Sequence, residues 1–214
     1  MRNAEAVHDL DRDLRTIFSG RVQSLVVYGA TADGPVTTLA IVDTVTATDL
    51  RYCAERVPLS AQSRAGDAVL LEPHEFGRSL DAFPLEFGSI LIHHELVSGT
   101  DPFAGLEVDP ADLRRACEVQ ARSHLLHLRE GFIETEGRND YLAALITRSA
   151  PSLASLLEHV RRLGGQESPE PVLMRVAELA PAGTISSDEA RRIFPEYLDA
   201  IDRLVSAVDR WSAA

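Results

Sequence analysis

Three arginines on one line carry the first chemistry in the sequence. Arg115, Arg122 and Arg129 recur every seven residues with Glu118 between them, a spacing that keeps side chains on one side of a helix. Such a row either holds an anion or forms a solvated face laced with ion pairs, and the second is the commoner fate of charges so arranged. His124 and His127 stand three apart on the same stretch, and His93 and His94 form a second pair. Two histidines at that spacing can supply two zinc ligands, but no third falls at metal spacing, so no metal site is expected. Asp81 and Glu86 flank Phe83-Pro84 and read either as paired carboxylates or as a helix cap and a surface charge around a turn.

What is missing from the chain removes several enzyme classes. All 21 of its strong cations are arginine. Without a lysine ammonium there is no Walker A phosphate loop, no pyridoxal Schiff base and no kinase-type lysine. Gly29 and Gly34 do not make a dinucleotide fingerprint, and no nucleophile elbow of the form G-x-S-x-G occurs. Cys53 and Cys117 are far apart, which implies neither a zinc knuckle nor a disulfide framework and suits two buried small side chains. A formal net charge of −12 argues against gripping a nucleic-acid backbone, which calls for a basic face. No apolar run approaches the ~18 residues of a membrane span. The acidic, amphipathic start (Glu5, Asp9, Asp11, Asp13) does not resemble an export or transit signal, so a cytoplasmic location is expected.

The elements that would position these groups follow from periodicity. Val7, Leu10, Leu14 and Ile17 mark an amphipathic helix from about Glu5 to Phe18, stopped by Gly20. Ser24 to Tyr28, Val36 to Val42 and Ala68 to Leu71 are short apolar runs that read as buried strands, and Phe87 to Ile92 reads as a further strand. A helix is expected between the second and third strands, capped by Thr48 and stopped by Pro58. After Pro110 the period becomes helical and remains so. Leu113, Cys117, Ala121, Leu125, Leu128 and Phe132 form one stripe, and Leu142 to Val160 carries another. A shorter segment follows Pro169 and Pro171, and a last helix starts at a Ser186/Glu189 capping box. The fold class is therefore α+β: a small mixed sheet over residues 1–108, then an antiparallel helical bundle over residues 109–214.

A helix, a strand ending Leu25-Val26-Val27-Tyr28-Gly29-Ala30, a second apolar strand and an appended bundle together resemble the nucleotidyltransferase-like proteins of the DNA polymerase beta superfamily. Ser79 to Phe87, His94, and Gly99 to Leu106 resemble a stretch common in bacterial proteins that carry a nucleotidyltransferase domain. The resemblance implies a ligand site formed around Gly29 and Ala30, with Asp43 and Glu86 as nearby carboxylates. It also turns the helix bearing Arg115, Arg122 and Arg129 toward a nucleotide cleft.

The departures from that family bear on activity. Active members place Gly-Ser after the first strand to hold a triphosphate and Asp-x-Asp on the next to hold two magnesium ions. Here Gly29 precedes Ala30, and the next strand reads Thr37-Thr38-Leu39-Ala40-Ile41-Val42-Asp43. The expectation is a degenerate active site that binds a nucleotide, another anionic small molecule or a partner. Two alternatives stay open. One is an active, magnesium-dependent transferase drawing on Asp33, Asp43 and Glu86. The other is a non-enzymatic interaction module of the toxin and antitoxin type, working as a homodimer or with a protein partner.

Overall fold

The computed structural model describes residues 2–29, 36–56, 65–163, 169–180 and 183–211, and for 2–4, 36 and 65–67 the backbone alone. The chain divides into two compact units, Met1–Val108 and Asp109–Ala214.

In the first unit α1 (Arg2–Phe18) leads through a single 3-10 turn into β1 (Val22–Tyr28), followed by β2 (Val36–Val42), α2 (Ala47–Arg56) and β3 (Ala65–Leu71). Two short helices, α3 (Pro73–Ala82) and α4 (Pro84–Ile92), precede β4 (His94–Gly99). Among the described residues the strands form one mixed sheet in the order β3-β2-β1-β4. β1 is antiparallel to both of its neighbours, with Tyr28 opposite Thr37 and His94. β2 and β3 are parallel, which requires the crossover that α2 supplies.

Alternation along the strands divides the apolar residues between two cores. Leu25, Ala40, Val42 and Leu70 pack with Leu10, Leu14 and Phe18 of α1. Val26, Leu39, Ile41, Val69 and Leu71 face the other way, against Phe76, Phe87, Ile90 and Phe103. The rings of Phe76, Phe87 and Phe103 meet edge to face, with Phe76 at 6.0 Å from Phe87 and 5.2 Å from Phe103. That geometry suits the ring quadrupoles. The start of β1 is tied to α2 by Arg21, whose guanidinium donates to both oxygens of Asp49 at 3.0 and 2.7 Å. Arg21 first, and the Thr46 hydroxyl and amide after it, hold the Asp49 carboxyl well below the usual range.

Two sequence expectations are corrected. The run Phe87 to Ile92 is not a strand but most of α4; the strand follows it as His94–Gly99. Pro84 sits at the first helical position, where its missing N–H costs nothing. Phe87, Gly88 and Ile90 are buried, so the apolar run reflects burial rather than strand period. The cap of α2 is Thr46, not Thr48: the Thr46 hydroxyl accepts from the Asp49 amide at 3.2 Å, and the Asp49 carboxylate accepts from the Thr46 amide at 2.9 Å. Helix α3 was not expected. Its signals are Pro73 at the first position and Glu75, whose carboxylate accepts from the Glu72 amide at 2.9 Å.

The second unit holds α5 (Pro110–Glu134), α6 (Asn139–Arg162), α7 (Pro171–Ala177) and α8 (Ser187–Arg210). Leu128, Ile146, Leu153, Leu156, Leu173 and Ile201 are almost fully buried at its centre. Ser186 caps α8 by accepting from the Glu189 amide at 3.3 Å.

Gly99 closes β4 with φ +85°, and a Cβ there would lie 2.0 Å from the Gln23 carbonyl oxygen. Gly99→Ala therefore strains both the backbone and the β1/β4 pairing, and it should cost roughly 3 kcal/mol in urea unfolding.

Candidate functional site

The carbonyl end of β1 is where the sequence places a ligand site. Gly29 follows Tyr28 there with φ +64°, a left-handed conformation that glycine adopts without penalty. Ala30 and Asp33 lie outside the described residues.

Glu86 projects from the first turn of α4 and lines a pocket together with Tyr28, Leu39 and Leu71, close to the Gly29 end of β1. Asp43 is elsewhere. Its amide donates to the Arg21 carbonyl at 2.9 Å and its carboxylate accepts from the Gln23 side chain, at the beginning of β1. The five steps from Gln23 to Tyr28 span about 17 Å in a strand. The structure therefore brings Glu86 beside the Gly29 end and leaves Asp43 at the far end of the same strand. Asp81 is exposed near the end of α3, before the α3/α4 break.

A two-metal centre needs carboxylates that hold ions about 3.5 to 4 Å apart. β2 carries no carboxylate on either face, since Thr38, Ala40 and Val42 alternate with Thr37, Leu39 and Ile41. No choice of register supplies the pair. Among the described residues no three of His, Cys, Asp or Glu are grouped to hold a metal. Among the described residues no carboxylate pair is placed to hold two magnesium ions.

In the second unit the three arginines of α5 share one side and each has a carboxylate partner. Arg115 pairs with Asp112 at 3.0 Å, Arg122 with Glu118 at 3.1 Å and Asp209 at 3.2 Å, and Arg129 with Asp202 at 3.2 Å. Hydrogen bonds from Arg114 and then Arg122 lower the pKa of Glu118. All three arginines are about half exposed or more, so an anion could reach them only by displacing these partners.

The histidines divide into separate roles. His94 bridges the last turn of α4 to the following loop, with Nδ1 2.9 Å from the Ile90 carbonyl oxygen and Nε2 3.1 Å from Asp101 Oδ1. His93 and His127 are exposed. His124 is buried in the bundle, where its Nε2 lies 2.7 Å from the Tyr197 hydroxyl, itself 3.0 Å from the Ser149 hydroxyl. Burial, with a smaller contribution from His127, lowers the His124 pKa from 6.5 to about 4; burial likewise raises that of Tyr197. Sequence reading missed this chain, although Tyr197 in the apolar stripe of α8 was a signal that its hydroxyl needs a buried partner.

No family model matches the chain, and no curated protein matches it significantly. Among solved structures, the crystal structure of spectinomycin adenyltransferase AAD(9) from Enterococcus faecialis with ATP and spectinomycin is similar over 96% of this chain and 99% of that one, with a TM-score of 0.53 and 12% identity. At that identity the likeness shows the fold: the chain has a nucleotidyltransferase-like α+β fold followed by a helical bundle. No helix among the described residues is long and apolar enough to cross a membrane.

The depressed pKa of His124 makes a signed prediction. As pH falls below 6.5 the unfolded chain takes up the proton first, so stability present above that value is lost toward pH 4. His124→Gln retains an amide able to bond Tyr197 but does not titrate. The unfolding free energy of wild type relative to this variant should fall by about 3 kcal/mol between pH 7 and pH 4 in urea titrations.

Proposed function

We propose that this chain is a nucleotidyltransferase-fold protein that has lost two-metal nucleotidyl transfer and works by binding. The observation that carries this reading is the make-up of β2, whose two faces offer threonine and aliphatic side chains where metal ligands would be needed. The separation of Asp43 from Glu86 along β1 supports it. So does the apolar cover laid over the sheet face by Phe76, Phe87 and Phe103. The similar solved structure contains ATP and spectinomycin, which makes a nucleotide or another anionic small molecule the first ligand to try. Magnesium belongs to the scheme only if transfer survives.

Calorimetric titration with ATP, CTP, GTP and UTP, with and without magnesium, tests the proposal. Affinity for the nucleotide that binds should be the same to within about twofold in the two conditions, because no carboxylate pair couples metal to triphosphate. Tightening by about tenfold or more on adding magnesium would overturn the loss of transfer. Binding of none of the four would remove nucleotides as the ligand.

A second reading, an interaction module, is favoured by one observation. Val119, Leu126 and Ile133 lie seven apart on α5 and are 65%, 57% and 77% exposed, an exposed apolar residue once in each heptad, with polar residues between them on the same side of the helix. On this reading the chain self-associates at tens of micromolar in light scattering, and Leu126→Glu returns it to the monomer. A wild-type mass equal to one chain under the same conditions removes self-association.

A further inference from the structure

The apolar face of the sheet is covered but not filled. Between the strands and the α3/α4 pair a pocket of about 170 Å³ remains. Leu39, Val69 and Leu71 line it from the sheet, and Phe83 and Phe87 from the helices. An enclosed apolar cavity of about 150 Å³ admits a benzene ring, so this pocket, which is open on one side, has the volume of a single ring or a branched alkyl group.

Two features of the lining define the rest of the ligand. Glu86 brings the one carboxylate among the described lining residues; its side chain is exposed and has no ion-pair or hydrogen-bond partner among the described residues. Phe83, in the break between α3 and α4, is 60% exposed although it too lines the pocket. A carboxylate and an open aromatic face side by side are the elements of ammonium recognition, by direct charge attraction and by attraction to the ring quadrupole. Among the described lining residues there is no arginine, and Glu86 brings the one carboxylate. The net charge of −12 favours cations at long range as well.

We propose that this pocket binds a small primary amine, its aromatic or branched aliphatic group held among Leu39, Leu71 and Phe87 and its ammonium at Glu86 and Phe83. The described lining residues of the site all belong to the first unit.

Titrations followed by NMR, without nucleotide or magnesium, test this with three probes of one size: benzylamine, benzyl alcohol and phenylacetate. Benzylamine should bind about fivefold tighter than benzyl alcohol, an increment appropriate to a solvent-accessible ion pair with a ring beside it, and phenylacetate should be weakest. Glu86→Gln, at an exposed position, should bring benzylamine to the level of benzyl alcohol. Val69→Phe should fill the space and weaken both, with its melting temperature recorded to confirm folding. Lack of saturable benzylamine binding to wild type, equal binding of all three probes, or a benzylamine preference that persists in Glu86→Gln would each overturn the proposal. Because magnesium and nucleotide are absent, these outcomes are independent of whether transfer has been lost.

Discussion

Burying both faces of a sheet requires its inward positions to be apolar, because a carboxylate withdrawn from water costs several kcal/mol unless a cation or metal meets it. In this chain α1 and α2 cover one face, and α3, α4 and the loop bearing Phe103 cover the other. Leu39 and Ile41 on β2, with Val69 and Leu71 on β3, consequently pack against aromatic rings. A metal-binding pair on the same face would have to stay open to water and ions. The break at Phe83 and the helix that starts at Pro84 lay Phe87 and Ile90 onto the sheet. On the proposed reading, the described strand positions of that face serve the apolar cover rather than a metal pair.

The bundle answers a different constraint, the neutralisation of its own charges. Arg122 and Arg129 are seven apart on α5, and their partners Asp209 and Asp202 are seven apart on α8 in reverse order. That is the register of two antiparallel helices. Each such exposed pair contributes at most about 1 kcal/mol, so the row does more to fix how α8 lies along α5 than to stabilise it. Beneath it the chain His124, Tyr197 and Ser149 satisfies polar atoms that would be costly if left unpaired in an apolar core. Its specificity depends on a neutral imidazole, which ties the fit of these helices to pH in a way that the surface pairs do not.

How far the sequence could be read depended on the range of each interaction. The long helices were legible because their apolar stripes repeat for six or seven turns, and β1 and β2 because their runs are short, branched and bounded. The run Phe87 to Ile92 misled because four buried positions in a nine-residue helix carry no period; only Pro84 distinguishes it from a strand. Thr46 and Thr48 are equally good caps by type, and the choice between them was made by Asp49, three residues beyond Thr46, with Arg21 behind it. At the candidate site, the absence of carboxylates from β2 could be read directly. The distance between Asp43 and Glu86 could not, since it follows from the antiparallel register that sets Val42 opposite Val22. The partners of the arginine row were visible as a second seven-residue repeat, but only once α5 and α8 are known to run side by side.

If two-metal transfer has been lost, as proposed, the pattern at the pocket bears on what kind of loss it was. Had the site merely decayed by replacement of one metal ligand, the neighbouring positions would remain polar and the face wet. Instead the described strand positions lining the pocket are Tyr28 and three aliphatic residues, two phenylalanines line the space opposite them, and Glu86 brings the one carboxylate among the described lining residues. Apolar residues at several positions on three strands and a helix have to suit one another in volume, since packing penalises both gaps and overlaps. A site that retains such a space, with a carboxylate that has no partner among the described residues and an exposed ring on its lining, has the make-up of a binding pocket rather than of a relic.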